Sequence, residues 1–399
     1  MIRVFANGLH AGALEKSDQK PHYVFTYDPE AAQERAVSLT MPVRLQSYFS
    51  SPAHLHPIFD MNLPEGSLRS WLMKAIPDCD DLTLLQVTGP SQIGRLEYSS
   101  QKRLQGESLP EFNVQDILTY DGAEDLFQDL LQMYGRFSGV SGVQPKVLVR
   151  DPVHTKMSPD HKLAVRAATH IVKTWDAQHP HLAFNEHFCL QAAARAGLTT
   201  PYWETSQNGK FLIVERFDLT EQNRYLGLED FCVLAGLPTA HKYKGSYEQL
   251  VKTLKSFSAR DQLSQGLVDL FKLIALNVGL RNGDAHRKNF CLIYDSPVAR
   301  RGVLAPTFDL VTTTAYLPND AMALTMNGSK RWPKRQKLLG FARDHCGLQP
   351  KQAVRTLDEV KQGVQETQKD LLQGVRHLEG FSAIGKRMHA AWMQGLLEL

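Results

Sequence analysis

The stretch LNVGLRNGDAHRKNF, residues 276–290, passes within a few positions from an apolar helix end to a dense polar cluster. Asp284, His286, Arg287, Lys288 and Asn289 fall within six consecutive residues, and Asp284 and Asn289 stand five positions apart. The preceding run, LVDLFKLIALNVGL, repeats Leu267, Leu270, Phe271, Ile274 and Val278 on one stripe, which predicts a helix. After the cluster come FCLIYD, read as a short strand, and then LAPTFDLV, which brings Asp309.

Upstream, the small-residue loop of GVSGVQPKVLVRD leads into an alternating strand at Val147 to Val149. LAVRAATHIVKTW is a second extended run, with Lys173 near its end. FNEHFCLQAAARAGL predicts a helix with Phe184, Phe188 and Ala192 on one face, closed by Gly197 and Pro201. FLIVERFD is a buried strand, and the chain beyond about residue 330 is expected to be mainly helical. The first hundred residues read as short strands and turns. Within them Pro64 and Gly66 break the chain before a helix carrying Leu68, Trp71, Leu72 and Ala75. The polar segment SSQKRLQGESLPE (99–111) is the candidate boundary to the next unit.

A 399-residue chain with 43 % hydrophobic and 22 % charged residues is expected to be globular, with two or three domains. No run approaches the roughly 18 apolar residues of a membrane span, and MIRVFANGLHAG lacks the apolar core of a secretory signal. The expectation is a cytoplasmic protein without a membrane partner. Five cysteines, at least 43 positions apart, exclude a C-x-x-C zinc site and fit reduced thiols. A formal charge of +3 does not argue for nucleic acid by itself. SKRWPKRQK (329–337) holds five basic residues around Trp332 and is read as a solvated basic loop. The His54/His56 and His179/His181 pairs adjoin Pro57 and Pro180 and are read as ordinary loops.

A Gly/Ser loop, a strand lysine, a helix glutamate, a strand with Glu215, then Asp284, Asn289 and Asp309 make up the inventory that phosphoryl transfer from ATP requires. The transferred group is highly charged, so catalysis is mostly positioning and electrostatics. Protein kinases place a catalytic Asp and a metal-binding Asn five positions apart, with a second metal-binding Asp after a short strand. His-Arg-Asp is absent here and the glycine-rich loop differs. Singly, each signal is weak: Asp284 and Asn289 could cap a turn, Asp309 could begin one, and Lys173 could face solvent. The collinear order is what carries weight.

NLPEG (62–66), SGVQPK (141–146), VERFD (214–218) and GDAHRKNF (283–290) together resemble the HipA family, serine/threonine kinase toxins of bacterial toxin–antitoxin modules. The resemblance implies an α+β, kinase-like fold: an N-terminal β-rich accessory domain (1–110), a small β-rich nucleotide lobe (111–225) and a helical C-terminal lobe (226–399). It implies Asp284 as catalytic base, Asn289 and Asp309 as magnesium ligands, and Lys173 on the ATP phosphates. Val140, Ser141, Gly142, Val143, Gln144 and Lys146 would form the loop that covers them. Glu215 and Phe217 would hold the adenine edge, His286 would lie near the phosphates, and Glu186 could pair with Lys173. A DNA-binding antitoxin of the HipB kind and an aminoacyl-tRNA synthetase substrate are the implied partners, with DNA reached only through the antitoxin.

The family autophosphorylates a serine just upstream of its G-x-Q-x-K motif. With Gly142, Gln144 and Lys146 aligned on that motif, Gly139 stands where the common serine would be. Ser141 lies two positions later and Ser138 one earlier, so self-modification would use Ser141, use Ser138, or be missing. Three other functions stay open at this level: a small-molecule phosphotransferase, a catalytically silent antitoxin-binding co-repressor, and a nucleic-acid-binding enzyme using residues 329–337.

Overall fold

The computed structural model describes residues 1–17, 22–50, 54–101, 109–121, 125–152, 168–220, 224–298 and 302–399. Helices and sheets are mixed along the chain, which divides into two compact units. The first comprises residues 1–174, 213–241 and 292–301, and the second residues 175–212, 242–291 and 302–399. Most of the 99–111 segment and the start of LAVRAATHIVKTW lie outside the described residues.

In the first unit five antiparallel strands form one sheet: β1 (Ile2–Ala6), β2 (Leu9–Lys16), β3 (Tyr23–Tyr27), β4 (Tyr48–Phe49) and β5 (Leu96–Ser99), ordered β4-β3-β2-β1-β5. Asn7 and Gly8 both take positive φ, the conformation that a two-residue hairpin turn demands, and so link β1 to β2. Phe25, Phe59 and Tyr98 fill the space beneath the sheet, with ring centroids 5.1 Å and 6.2 Å apart along the row. Full burial of such a side chain contributes about 1.5–3 kcal/mol. The buried Tyr98 hydroxyl is satisfied by the Asn62 amide at 2.6 Å. The expected helix after NLPEG spans Gly66–Ala75 and buries Leu68 and Leu72.

Farther along, β6 (Lys146–Val149) and β7 (His170–Thr174) pair antiparallel, with Lys146 opposite Lys173 and Val147 opposite Val172. Every residue of β6 is buried, so this strand has no solvent face.

The second unit is largely helical. Helix Leu263–Gly279 is buried on nearly every face from Gly266 onward, more than the single stripe in its sequence predicts. The reason is packing on several sides: the helices Tyr247–Phe257, Pro350–His377 and Ser382–Leu396 all lie against it. Lys272, a cation inside this apolar helix, is compensated by Glu359 at 2.9 Å. Pro350–His377 also packs on Leu182–Arg195, closely enough that a Cβ on Gly363 would press into the backbone of Ala192 and Ala196. No helix among the described residues is long and apolar enough to cross a membrane. All five cysteines are free thiols, four of them buried.

Candidate active site

Helix Leu263–Gly279 ends in a turn that is closed by its own polar side chains. The Asn282 amide donates to Asn277 Oδ1 at 2.7 Å, and Asn282 Oδ1 accepts the Asp284 N–H at 3.0 Å. The His286 N–H then returns to the Asp284 carbonyl at 2.7 Å, and the Asn289 N–H to the His286 carbonyl at 3.0 Å. The Asn289 side-chain amide donates to the carbonyl of Asp284 at 3.1 Å and to that of Asp309 at 3.4 Å. With the amide nitrogen so used, the Asn289 Oδ1 is the atom left for a cation. The five-position spacing therefore closes a turn that also fixes Asp309. Gly283 is obligatory here, since a Cβ would collide with the Asp320 carboxylate, and its N–H donates to Thr313 Oγ1 at 2.8 Å.

Asp309 has a left-handed backbone, φ +52°, which costs a non-glycine residue about 1–2 kcal/mol. The segment after it is held by Asn185, buried in helix Leu182–Arg195. The Asn185 Oδ1 accepts the Thr312 N–H at 2.8 Å, while its amide donates to the Thr312 carbonyl at 3.2 Å. Trp392 adds a bond from its indole N–H to Thr312 Oγ1 at 2.7 Å.

The Asp284 carboxylate is half-buried. Tyr243, an exposed residue on the loop before helix Tyr247–Phe257, donates its hydroxyl to Asp284 Oδ1 at 2.5 Å. The Tyr243 ring also packs edge-on against His286, with centroids 5.0 Å apart. Burial pushes the Asp284 carboxyl above its ordinary range. The Tyr243 hydroxyl and Lys242 oppose that shift, and the charges of Asp309 and Asp320 add to it. A carboxylate held above its ordinary range, with an exposed hydroxyl already bonded to it, is suited to receiving a proton from a hydroxyl.

In the first unit the loop from Ser138 to Lys146 is fixed at both ends. The Ser138 hydroxyl, fully buried, donates to the Tyr134 carbonyl and accepts the Leu148 N–H, both at 2.8 Å. Gly139 bonds through its N–H to the Ser91 carbonyl at 2.8 Å, and a Cβ there would run into the Gln92 amide. At the other end the Gln144 amide donates to the Thr174 carbonyl at 3.1 Å, and the Thr174 N–H to the Pro145 carbonyl at 2.9 Å. Between these anchors Val143 is exposed, and the half-buried Ser141 donates its hydroxyl to Glu65 of the NLPEG turn. Gly66, at φ +55°, lies directly against Val143. Val140 is buried. Lys146 carries its ammonium over Gly142.

Lys146 and Lys173, each 4 % exposed, stand directly opposite across β6 and β7. In VERFD the burial alternates: Glu215 and Phe217 are half-exposed, whereas Arg216 and Asp218 are buried. Arg216 holds Asp218 through two bonds, of 3.0 Å and 2.6 Å, and donates to the Gln92 carbonyl at 2.7 Å. Asp218 in turn accepts the Gly94 N–H at 2.6 Å.

The second unit thus brings together Asp284, His286, Asn289 and Asp309. The first holds Ser138, the loop from Val140 to Lys146, Lys173, Glu215 and Phe217. Glu186 is buried on helix Leu182–Arg195 of the second unit. Sequence reasoning missed Tyr243, Asn185, Glu65, Gln92 and the Arg216–Asp218 pair. Glu65 and the Arg216–Asp218 pair had a signal, since they lie in the NLPEG and VERFD segments. Among the described residues no three His, Cys, Asp or Glu cluster as a metal site. The Asn289 Oδ1 and the Asp309 carboxylate remain a fitting donor pair for magnesium, which keeps water and phosphate oxygens in most of its positions.

The family model described as HipA-like C-terminal domain matches residues 138–368, and the HipA N-terminal domain matches residues 2–99. The chain belongs to the HipA family. Two relatives from Sinorhizobium fredii (strain NBRC 101917 / NGR234) are similar to it. "Putative kinase Y4mE" is 28 % identical over 311 residues, 74 % of this chain and 72 % of that protein. "Putative kinase Y4dM" is 30 % identical over 300 residues, 69 % and 66 % of the two chains. The fold is that of HipA in the Shewanella oneidensis MR-1 HipA, HipB and operator DNA complex, with TM-score 0.72 and 18 % identity over 99 % of this chain and 96 % of that one.

Proposed function

We propose that this protein is an ATP- and magnesium-dependent serine/threonine protein kinase acting as the toxin of a toxin–antitoxin pair. The observation that carries the reading is the Asn289 amide, bonded at once to the backbones of Asp284 and Asp309. In this reading an acceptor hydroxyl oxygen bonds to the γ-phosphorus while its proton passes to Asp284. The bond from that phosphorus to the bridging oxygen breaks, and ADP leaves. Lys173, Lys146 and the Val140–Lys146 loop steady the phosphates, His286 lies beside them, and Glu215 with Phe217 receives the adenine edge. Magnesium, held by Asn289 and Asp309, would supply charge compensation at the phosphate oxygens.

The division into accessory, nucleotide and helical parts at 1–110, 111–225 and 226–399 belongs to the same proposal. So do a DNA-binding antitoxin partner, an aminoacyl-tRNA synthetase as substrate, and residence in the cytoplasm. Kinase names among the relatives, and a solved HipA bound with HipB and operator DNA, support it. For self-modification Ser141 is favoured over Ser138, because the Ser138 hydroxyl is buried and bonded twice within the fold.

The test is incubation with labelled ATP and magnesium beside an Asp309→Ala variant, with phosphate mapped by mass spectrometry. Incorporation in the wild type alone, on itself or on a lysate protein, is expected. Nucleotide binding without any transfer would overturn the kinase reading.

A further inference from the structure

The basic segment at residues 329–337 packs onto the turn that carries Asp284. The Trp332 indole donates to the Asp320 carbonyl at 3.2 Å, and Asp320 accepts from Thr313, which also holds Gly283. The Met322 N–H reaches the Lys330 carbonyl at 3.0 Å, and Met326 and Ser329 close a tight turn. Thr325, between them, is laced to the other loop bordering Asp284: its N–H donates to the Gly245 carbonyl at 3.1 Å and its carbonyl accepts the Tyr247 N–H at 3.0 Å. Two loops, one with Lys242 and Lys244 and the other with Lys330, Arg331 and Lys334, therefore frame the same turn.

Lys244, Lys330, Arg331 and Lys334 are exposed, and no carboxylate lies within ion-pair distance of them among the described residues. The fourth cation of the second loop, Arg335, is engaged by Asp358 at 3.1 Å. Two acidic groups beside the loops are turned to backbone: Glu248, in helix Tyr247–Phe257, accepts the Asn327 N–H at 2.6 Å, and Asp320 accepts the Ala321 N–H at 2.9 Å. The outward charge of this face is positive.

We propose that this face docks an acidic polypeptide segment, with carboxylates flanking the hydroxyl that is phosphorylated. The inference rests on the reading of Asp284 as the group that receives the acceptor's proton. The Tyr243 hydroxyl marks the place of the acceptor hydroxyl, which displaces it from Asp284 Oδ1. A nucleic acid is the poorer fit. Binding of single strands relies on aromatic faces free to stack, yet the Tyr243 ring packs against His286, and Trp332 lies under the Arg281 guanidinium at 5.0 Å. What the two loops offer is a few separated point charges, matched to a few carboxylates.

The test uses the full chain and three fluorescein-labelled probes: a serine peptide flanked by glutamates, its glutamine isostere, and a single-stranded oligonucleotide of the same net charge. The variant is Lys330→Glu/Arg331→Glu/Lys334→Glu, all surface positions, checked for an unchanged unfolding temperature. A second variant, Lys244→Glu, samples the other loop. The glutamate peptide should bind at least tenfold tighter than the glutamine peptide at low salt. That preference should shrink as salt rises and vanish in the triple variant, with ATP affinity unchanged. Equal affinity for the two peptides, a preference that survives both variants, or tighter binding of the oligonucleotide would overturn the proposal. If the preference holds while the wild type transfers no phosphate to itself, to a lysate protein or to the peptide, the kinase reading fails and the acidic docking face stands.

Discussion

The turn at residues 282–289 and the loop at residues 138–146 serve one proposed reaction, yet they are built in opposite ways. The turn is held largely by its own side chains: Asn282 and Asn289 bond to Asn277 and Asp284, at most five positions away, while Gly283 and Asn289 also reach Thr313 and Asp309. The loop is held by residues dozens of positions upstream. Gln92 fills the space beside Gly139, Glu65 receives Ser141, and Gly66 lies against Val143. A locally closed turn presents its chemistry in a fixed geometry. A loop whose middle is fixed through another part of its unit can respond to what happens there.

The comparison breaks most severely at the turn. Asp309→Ala should remove transfer altogether, and Asp284→Asn should lower it by about 10²- to 10⁴-fold, the usual share of a general base; labelled-phosphate incorporation reads both. The same Asp284→Asn variant should be more stable than the wild type at neutral pH. Because the folded carboxyl titrates above the unfolded one, its ionised form opposes folding, and the wild type regains that stability as the pH falls through the raised value. Thermal unfolding across pH should show the gap closing near the ordinary carboxylate value of 3.8.

Next in size is the buried pair behind the loop. Removing one partner, in Asp218→Asn or Arg216→Met, should cost about 3–5 kcal/mol in denaturant unfolding, and the double variant less than the sum of the singles. Installing the common family serine, Gly139→Ser, should cost about 1–3 kcal/mol by overpacking against Gln92. A Gly139→Ser protein as stable as the wild type would mean that the loop is not pinned there. Smallest is Tyr243→Phe, which leaves packing intact but removes the hydroxyl that favours ionised Asp284. The acid limb of the pH–rate profile should move to higher pH, and an unmoved limb would separate Tyr243 from the titration of Asp284.

The same contrast decides what could be read from the sequence. Asp284, Asn289 and Asp309 were legible because their spacing is itself the geometry, a short turn and a short strand. The helices Leu182–Arg195 and Leu263–Gly279 were legible from apolar periodicity, although the one-stripe pattern of the latter understated its burial. Asn185 was not legible: an amide inside an apolar helix face gives no hint that it bonds twice to Thr312, 127 positions on. Nothing in the sequence marks Tyr243, whose hydroxyl meets Asp284 only in the fold. Glu65 and Gln92 act across sequence gaps that no spacing rule spans. The basic segment 329–337 is read from sequence as a solvated loop; Lys330, Arg331 and Lys334 are exposed, but a helix begins at Arg335, and sequence could not convey which turn lies beside the segment.

The left-handed backbone at Asp309 has a consequence for anyone who evolves or redesigns this protein. Glycine adopts that conformation without strain and asparagine with little, so both substitutions would relieve part of the local cost. Each would also remove the carboxylate assigned to magnesium. If Asp309 has the proposed role, a library sorted for solubility or heat resistance alone would thus enrich the variants least able to transfer phosphate.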